Sequence, residues 1–382
     1  MSVCAPKGFR AAGVSAGLKA AGRDVALVVN DGPADAAAGV FTTNRVQAAP
    51  VLWSRQVLTS GRLRAVVLNS GGANACTGPA GFQDTHATAE RVAAALGLGA
   101  IDVAVCSTGL IGRRLDLAAL LPGVDKAVAG LDRAGGTDAA DAIRTTDTVA
   151  KQATFDGGGW TVGGMAKGAG MLAPSLATML CVLTTDAVVA PATLDSALRA
   201  ATARTFERLD ADGCLSTNDT VLLLASGASG VAVDVTALTR AVTAVCADLA
   251  AQLLADAEGS TKDIEIVVRA AASEPDAVEV GRAVARSNLL KCALFGADPN
   301  WGRVLAAVGT TAAAFEPDRL AVRMNGVLVC LDGAAAADPQ TVDLSGRQVL
   351  IEIDLGAGSQ TATVWTNDLS LAYVHENSAY ST

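Results

Sequence analysis

An α+β fold of mixed, partly antiparallel sheets is what this chain predicts, and three observations carry the prediction. Short apolar runs alternate with longer amphipathic stretches from end to end, a pattern that builds sheets covered by helices. Two hairpin-like signals inside alternating segments, Met324-Asn325-Gly326-Val327 and the Gly-rich run 356–359, point to antiparallel pairing rather than a purely parallel doubly wound sheet. No Pro- or Ser-rich linker divides the 382 residues, and the soft spots Gly135-Gly136 and Gly157-Gly158-Gly159 read as loops rather than domain boundaries.

Taken in order, the apolar runs of strand length are Val25 to Asn30, Ala65 to Asn69, Val103 to Cys106, Met179 to Leu183, Val221 to Ala225, Ile264 to Arg269, Leu320 to Val329 and Val349 to Leu355. Helices are predicted over Thr85 to Leu96, Pro191 to Leu209, Ala237 to Ala257 and Asp276 to Leu290. Pro191 and Pro275 stand at or beside two of the starts, where proline's fixed φ and missing N–H do no harm.

Composition bounds the function. The chain carries a net charge of −9 with its Lys and Arg residues scattered, so a nucleic-acid partner is disfavoured. Half the residues are hydrophobic, much of that alanine, yet polar residues interrupt every candidate run of about 18 apolar residues, so no membrane span is expected. The N-terminus shows no charged-then-apolar signal, and a cytoplasmic location is expected. Eight cysteines, at 4, 76, 106, 181, 214, 246, 292 and 330, form no C-x-x-C pair and read as buried thiols of a reducing compartment.

Only two histidines occur, His86 and His375, and neither H-E-x-x-H nor G-x-S-x-G is present, so no metal site is expected and a histidine-free nucleophile fits better. His86 falls in the first turns of a predicted helix, while His375, just before the C-terminus, is a candidate for function. The Gly-rich run 163–170 lacks the strand, spacing and acidic partner of a dinucleotide or P-loop site.

The segment Lys167-Gly168-Ala169-Gly170-Met171-Leu172-Ala173-Pro174-Ser175-Leu176-Ala177-Thr178-Met179-Leu180 has the character of a self-cleavage junction. A threonine hydroxyl needs a base, and cutting the bond before it frees one, its own α-amine, which titrates near ~8 against ~10.4 for lysine. Ala177 offers a small, accessible carbonyl, the glycines allow a tight backbone, and Pro174 stiffens the approach. On its own the same string is a Gly-rich turn feeding an apolar strand, and it needs further motifs beside it.

Those motifs are Gly39-Val40-Phe41-Thr42-Thr43-Asn44, Asn69-Ser70-Gly71-Gly72-Ala73-Asn74-Ala75-Cys76-Thr77-Gly78, Ser107-Thr108-Gly109-Leu110-Ile111-Gly112 and Thr145-Thr146-Asp147-Thr148, followed by Ser216-Thr217-Asn218-Asp219-Thr220 and Glu258-Gly259-Ser260-Thr261-Lys262. Phe295-Gly296-Ala297-Asp298-Pro299-Asn300-Trp301-Gly302-Arg303 and the terminal Glu376-Asn377-Ser378-Ala379-Tyr380-Ser381-Thr382 complete the set. In this order they resemble, almost end to end, the ornithine acetyltransferase or glutamate N-acetyltransferase family, also called the ArgJ family. That resemblance implies a layered αββα core and self-cleavage between Ala177 and Thr178. Residues 1–177 and 178–382 would then be two interwoven products that pair into a larger oligomer such as α2β2.

It also implies roles. Thr178 is the nucleophile, Thr108 and Gly109 form the oxyanion hole, and Thr145, Lys167, Glu258, Asn377 and Thr382 contact substrate, with Thr145 uncertain by one position against Thr146. The residues read compatibly by themselves. Thr108-Gly109 follows directly on a predicted strand, and a strand end fixes position while glycine lets a backbone donor approach. Lys167 could hold a carboxylate or, by like-charge repulsion, keep an amine unprotonated, although a lone lysine is more often solvated. Glu258 falls at the end of a predicted helix, where a carboxylate opposes the dipole and so suggests another reason, such as an ornithine-like ammonium. Ala173-Pro174-Ser175-Leu176, Ser260 and Cys292 depart from the residues many members carry, which touches cleavage efficiency rather than the chemistry.

The implied reaction is a ping-pong acetyl transfer from N-acetyl-ornithine to glutamate with no cofactor, acetyl-CoA being an open possibility as a second donor. Two rivals stand beside it: an N-terminal-nucleophile amidase or aminopeptidase, in which water takes the acyl group, and a non-catalytic binding protein that never cleaves.

Overall fold

The uninterrupted apolar runs become strands buried along their whole length: Val25–Asn30, Ala65–Ser70, Val103–Thr108, Leu180–Thr185 and Thr220–Ala225. Such runs require cover on both faces, and layers of sheet and helix supply it. The computed structural model describes residues 2–171 and 179–379. They divide into two units, one built from the chain up to Glu207 with Leu215–Asp256, the other from Arg208–Cys214 with the chain from Ala257 onward.

In chain order the first unit holds strands β1 (Phe9–Val14), β2 (Val25–Asn30), β3 (Ala36–Phe41), β4 (Ala65–Ser70), β5 (Val103–Thr108), β6 (Lys151–Asp156), β7 (Thr161–Lys167), β8 (Leu180–Thr185) and β9 (Thr220–Ala225). Its helices are α1 (Ala49–Val57), α2 (Gly78–Leu96), α3 (Leu117–Ala129), α4 (Gly136–Ala142), α5 (Pro191–Arg204) and α6 (Val235–Ala255). One sheet runs β1-β2-β4-β5 and the other β3-β9-β8-β7-β6. Each contains a single parallel pair, β4 with β5 and β8 with β9, the remaining neighbours being antiparallel. Leu27, Val67 and Val105 of the first sheet share one core with Met165, Val182 and Leu222 of the second. Helices α2, α3 and α4 pack against the first sheet and α5 and α6 against the second, giving a layered α+β core of mixed sheets.

Edge strand β5 is sealed by α1. Ser54 Oγ donates to the Val105 carbonyl at 2.7 Å and accepts its N–H at 2.9 Å, while Trp53 Nε1 donates to the Val103 carbonyl at 3.0 Å. Side chains here take the place of a further strand, which protects the edge against unwanted pairing.

The second unit holds β10 (Asp263–Ala271), α7 (Glu274–Ala285), α8 (Asn288–Phe295), α9 (Trp301–Val308), β11 (Ala321–Met324), β12 (Val327–Leu331), β13 (Ala334–Ala335), β14 (Gln348–Asp354), β15 (Gln360–Asn367) and α10 (Leu371–Ala379). Its sheet runs β13-β12-β11-β14-β10-β15 over a hydrophobic core of its own.

Several expectations are corrected. The hairpin expected at Met324-Asn325-Gly326-Val327 forms, turning through Asn325 (φ 44°) and Gly326 (φ 84°), the two positive φ values a tight two-residue turn needs, so the single strand expected over 320–329 is instead the two strands β11 and β12. The Gly-rich run 356–359 makes no hairpin, because β10 lies between β14, its parallel neighbour, and β15, its antiparallel one. The predicted helix 276–290 breaks after Ala285, and Ser287 begins a new one by accepting the Leu290 N–H. Gly136 opens α4 instead of lying in a loop.

Helix α6 is by length and composition able to cross a membrane, but half of it is buried here, its Leu238, Val242, Val245 and Leu249 face lying against protein. The cysteines are all free; Cys106, Cys181, Cys246 and Cys330 are buried as expected, whereas Cys76, Cys214 and Cys292 are exposed and Cys4 lies between.

Candidate active site

Parallel pairing of β4 with β5 sets their C-terminal ends side by side, Asn69 against Ser107 and Ser70 against Thr108. The turns that follow are bound to one another. Ser107 Oγ donates to Asn69 Oδ1 at 2.6 Å, Asn69 Nδ2 to the Gly72 carbonyl at 3.1 Å, and the Gly72 N–H to the Thr108 carbonyl at 3.0 Å. Asn218 adds the third segment, its amide donating to the carbonyls of Ala73 at 2.6 Å and Ser107 at 2.8 Å.

Gly109 leaves this knot at φ 127°, and a Cβ there would stand 2.6 Å from Gly72 N. No side chain fits, so the close backbone approach needs glycine.

Lys167, the last residue of β7, is buried, not solvated, and its Nζ donates to Thr108 Oγ1 at 3.1 Å. Asp147 lies beside it with a fully buried side chain. Its Oδ1 accepts from Lys151 Nζ and from the Gly168 N–H, both at 2.7 Å, and its Oδ2 accepts the Thr145 N–H at 3.1 Å. Lys151 also meets Asp256 at 2.6 Å. Across from Lys167, Asp219 accepts the N–H of Met179 at 3.0 Å and is fully buried. Burial pushes its carboxyl well above the usual range against the pull of the Met179 N–H, Ser216 and Lys167.

Burial alone would raise the Asp147 carboxyl, but the Lys167 and Lys151 ammoniums with the Gly168 N–H outweigh it and hold it at about 2. An unfolded aspartate titrates near ~3.9, so this group is depressed in the folded state. Its contribution to stability is therefore complete above pH ~4 and is lost as pH falls through about 2. Denaturant unfolding between those values should show roughly 2 kcal/mol of acid-dependent loss in the wild type that Asp147→Asn lacks, and parallel curves would refute the assignment.

Of the residues proposed from sequence, the first unit thus brings together Thr108, Gly109, Thr145 and Lys167. Glu258 and Asn377 belong to the second unit. The end of α6 at Ala255 places Glu258 in a half-buried turn rather than on the helix, so the dipole argument does not apply to it. The carboxylate at that helix terminus is Asp256, whose charge Lys151 answers. Gly259, at φ 60°, lets this turn press on α10, where a Cβ would meet Tyr373 N at 2.1 Å. Burial, with Asp212 and then Glu258 adding to it, pushes the Tyr373 phenol up. Asn377 is exposed on α10 and donates to the Tyr373 carbonyl at 3.0 Å. Ala177, Thr178 and Thr382 lie outside the described residues.

Neither histidine joins the first unit's cluster. His86 packs against Trp53 with ring centroids 4.9 Å apart and the ring planes tilted by 50°, and His375 is exposed on α10. Among the described residues no group of His, Cys, Asp and Glu side chains gathers as metal ligands do. Asp147 and Asp219 were not singled out by sequence reasoning. Each stood inside a recognised block, but an acid among Ser, Thr and Asn reads as a solvated turn.

Residues 10–382 match the ArgJ family. The chain is 64% identical over 382 residues to the arginine biosynthesis bifunctional protein ArgJ of Streptomyces coelicolor, with 100% of both chains covered. Among solved structures, the ArgJ protein of Bacillus halodurans is 33% identical with a TM-score of 0.50, over 52% of this chain and 97% of that one. The ornithine acetyltransferase of Mycobacterium tuberculosis, complexed with ornithine, is 64% identical with a TM-score of 0.45, over 47% of this chain and 96% of that one. A family match from residue 10 to the last, joined to full-length identity, settles the membership: the chain belongs to the ArgJ family and is an acyltransferase.

Proposed function

We propose that this acyltransferase moves an acetyl group from N2-acetyl-L-ornithine to L-glutamate, releasing ornithine and N-acetylglutamate, after cutting itself between Ala177 and Thr178. In the first stage Thr178 Oγ attacks the Ala177 carbonyl and water hydrolyses the resulting ester, leaving Thr178 with a free α-amine. In each later cycle that amine takes the Oγ proton as Oγ attacks the acetyl carbonyl, the C–N bond breaks, and the proton passes to the departing ornithine amine. The α-amine of glutamate then attacks the acetyl ester and restores the Thr178 hydroxyl.

The observation that carries this reading is the contact of the buried Lys167 ammonium with Thr108 Oγ1 at 3.1 Å. A hydroxyl that accepts from an ammonium keeps its own proton for another partner, and the cation polarises that O–H. Thr108 is thereby a pre-aimed donor for the negative oxygen of the tetrahedral intermediate, and the Gly109 backbone, pinned against Gly72, lies beside it. Thr145 and Lys167 on the first unit, with Glu258, Asn377 and Thr382 from the rest of the chain, are the proposed substrate contacts, Glu258 facing the ornithine side-chain ammonium. No cofactor enters the scheme, and acetyl-CoA serves as a further acetyl donor to Thr178, in keeping with the word "bifunctional" in the relative's name.

The two products, 1–177 and 178–382, stay together and pair as α2β2. The neighbouring positions of β7 and β8 support the first point, since the cut would fall between two strands that pair along their length.

Purified protein given N-acetyl-ornithine should release little acetate alone and, with glutamate added, equal amounts of ornithine and N-acetylglutamate. Free acetate formed at a rate that glutamate leaves unchanged would replace this reading with an amidase.

A further inference from the structure

We propose that Asp368 is a positioning residue for the amine-bearing substrate, acting through the backbone of the 258–262 turn to hold Glu258 and helix α10, which bears Asn377, in one fixed relation. This rests on the reading of Glu258 and Asn377 given above and deepens it.

Helix α10 lacks the usual means of staying in place. None of its residues from Leu371 to Ala379 is buried, and its largest aliphatic side chains, Leu371 and Val374, are 78% and 52% exposed. A helix in a protein is ordinarily held by the apolar face it buries. This one buries none, so polar bonds must place it.

Those bonds run to the turn that carries Glu258. Asp368 stands between the end of β15 and the start of α10 and is buried. Its Oδ1 accepts the N–H groups of Thr261 and Lys262, both at 2.8 Å, and its Oδ2 accepts the Thr261 hydroxyl. Two residues on, Ser370 Oγ donates to the Gly259 carbonyl at 2.5 Å and accepts the Tyr373 N–H at 3.0 Å. It thereby caps α10 and ties the helix to the residue next to Glu258. The turn is anchored separately at its far end, where Lys262 Nζ donates to the carbonyls of Leu344 at 2.6 Å and Gly346 at 2.7 Å. The turn is therefore the fixed partner, and α10 is the element it positions.

A buried carboxylate is costly unless its oxygens find donors, and the turn supplies three. Asp368→Ala removes all three and loosens the joint between β15 and α10. A misplacement of about 1 Å between groups that grip one substrate costs on the order of 10²-fold. Asparagine at the same place keeps the geometry, its carbonyl oxygen accepting the two N–H groups and its amide donating to the Thr261 hydroxyl. The role is one of hydrogen bonding rather than of charge.

The test compares steady-state kinetics and the rate of self-cleavage in wild type, Asp368→Ala, Asp368→Asn and Glu258→Gln, with thermal unfolding recorded for each. Asp368→Ala should raise KM for N-acetyl-ornithine about 10- to 100-fold, with kcat and the rate of self-cleavage each within about threefold of wild type. The loss falls on binding because Thr108 and Gly109 belong to the first unit. Asp368→Asn should bring KM back to within about threefold of wild type, as a conserved geometry requires. An unchanged KM in Asp368→Ala, a fall in kcat and self-cleavage as large as the rise in KM, or failure of asparagine to restore KM overturns the proposal.

If Asp368→Ala does not fold, Ser370→Ala decides, since it removes only the bond from α10 to the Gly259 carbonyl and its loss at the helix cap. A rise in KM of roughly 2- to 10-fold at unchanged self-cleavage supports the proposal, and an unchanged KM overturns it. Failure of the parent reading is separable. It is seen as a wild type that is uncut or transfers nothing to glutamate, or as Glu258→Gln with the KM of wild type, whereas the present proposal fails when Glu258→Gln raises KM and the variants of the clasp do not.

Discussion

Thr178→Ala is expected to remain a single uncut chain of 382 residues and to lose acetyl transfer altogether, at least ~10⁴-fold below wild type. The size follows from the double duty assigned to this residue. In the proposed scheme its hydroxyl opens the Ala177 peptide bond, and the same hydroxyl, with the amine that opening would free, later takes the acetyl group. Alanine removes the nucleophile and, by blocking the cut, withholds the base, so no second group can compensate. Intact mass under denaturing conditions and N-terminal sequencing read the first loss, and the transfer assay reads the second. A cut or active Thr178→Ala protein would remove Thr178 from the mechanism, and an uncut wild type would leave the chain a stalled precursor or a non-catalytic relative.

Gly109→Ala should cost nearly as much by a different route. The new Cβ would stand 2.6 Å from Gly72 N and 2.9 Å from Gly71 C, both backbone atoms of a loop held by Asn69 and Asn218, at a φ of 127° that L side chains avoid. Neither neighbour can swing aside as a flexible side chain would, so the Thr108-Gly109 peptide must move. A displaced oxyanion donor lowers kcat by ~10²–10³-fold, and the strained backbone lowers stability by roughly 1–3 kcal/mol. Kinetics with thermal unfolding would show both, while unchanged kcat in a folded Gly109→Ala protein would exclude this segment from transition-state binding.

What could be read from the chain depended on how each residue does its work. Val25 to Asn30 and Val103 to Cys106 announced themselves because a strand buried on both faces has no polar positions to blur it. Strands β3, Ala-Ala-Ala-Gly-Val-Phe, and β7, Thr-Val-Gly-Gly-Met-Ala-Lys, escaped notice, since alanine and glycine favour no strand and it is the neighbouring strands that hold them there. The site divided the same way. Gly109 and Lys167 came through resemblance to a family, but the burial of Lys167 and its bond to Thr108 depend on bringing together residues 59 positions apart. Asp147 and Asp219 were invisible for the same reason, because a carboxylate inside a run of small polar residues reveals its partners only after folding.

The order β3-β9-β8-β7-β6 has a consequence for the life of the protein. A cut before Thr178 would give β3, β6 and β7 to one product and β8 and β9 to the other, so that the second product's pair of strands is hydrogen-bonded on both sides by the first. The precursor assembles this sheet as one molecule, at a rate that does not depend on concentration. Once cut, the same sheet can be regained only by the meeting of two molecules, so the mature protein's persistence would rest on how slowly it opens rather than on how readily it re-forms.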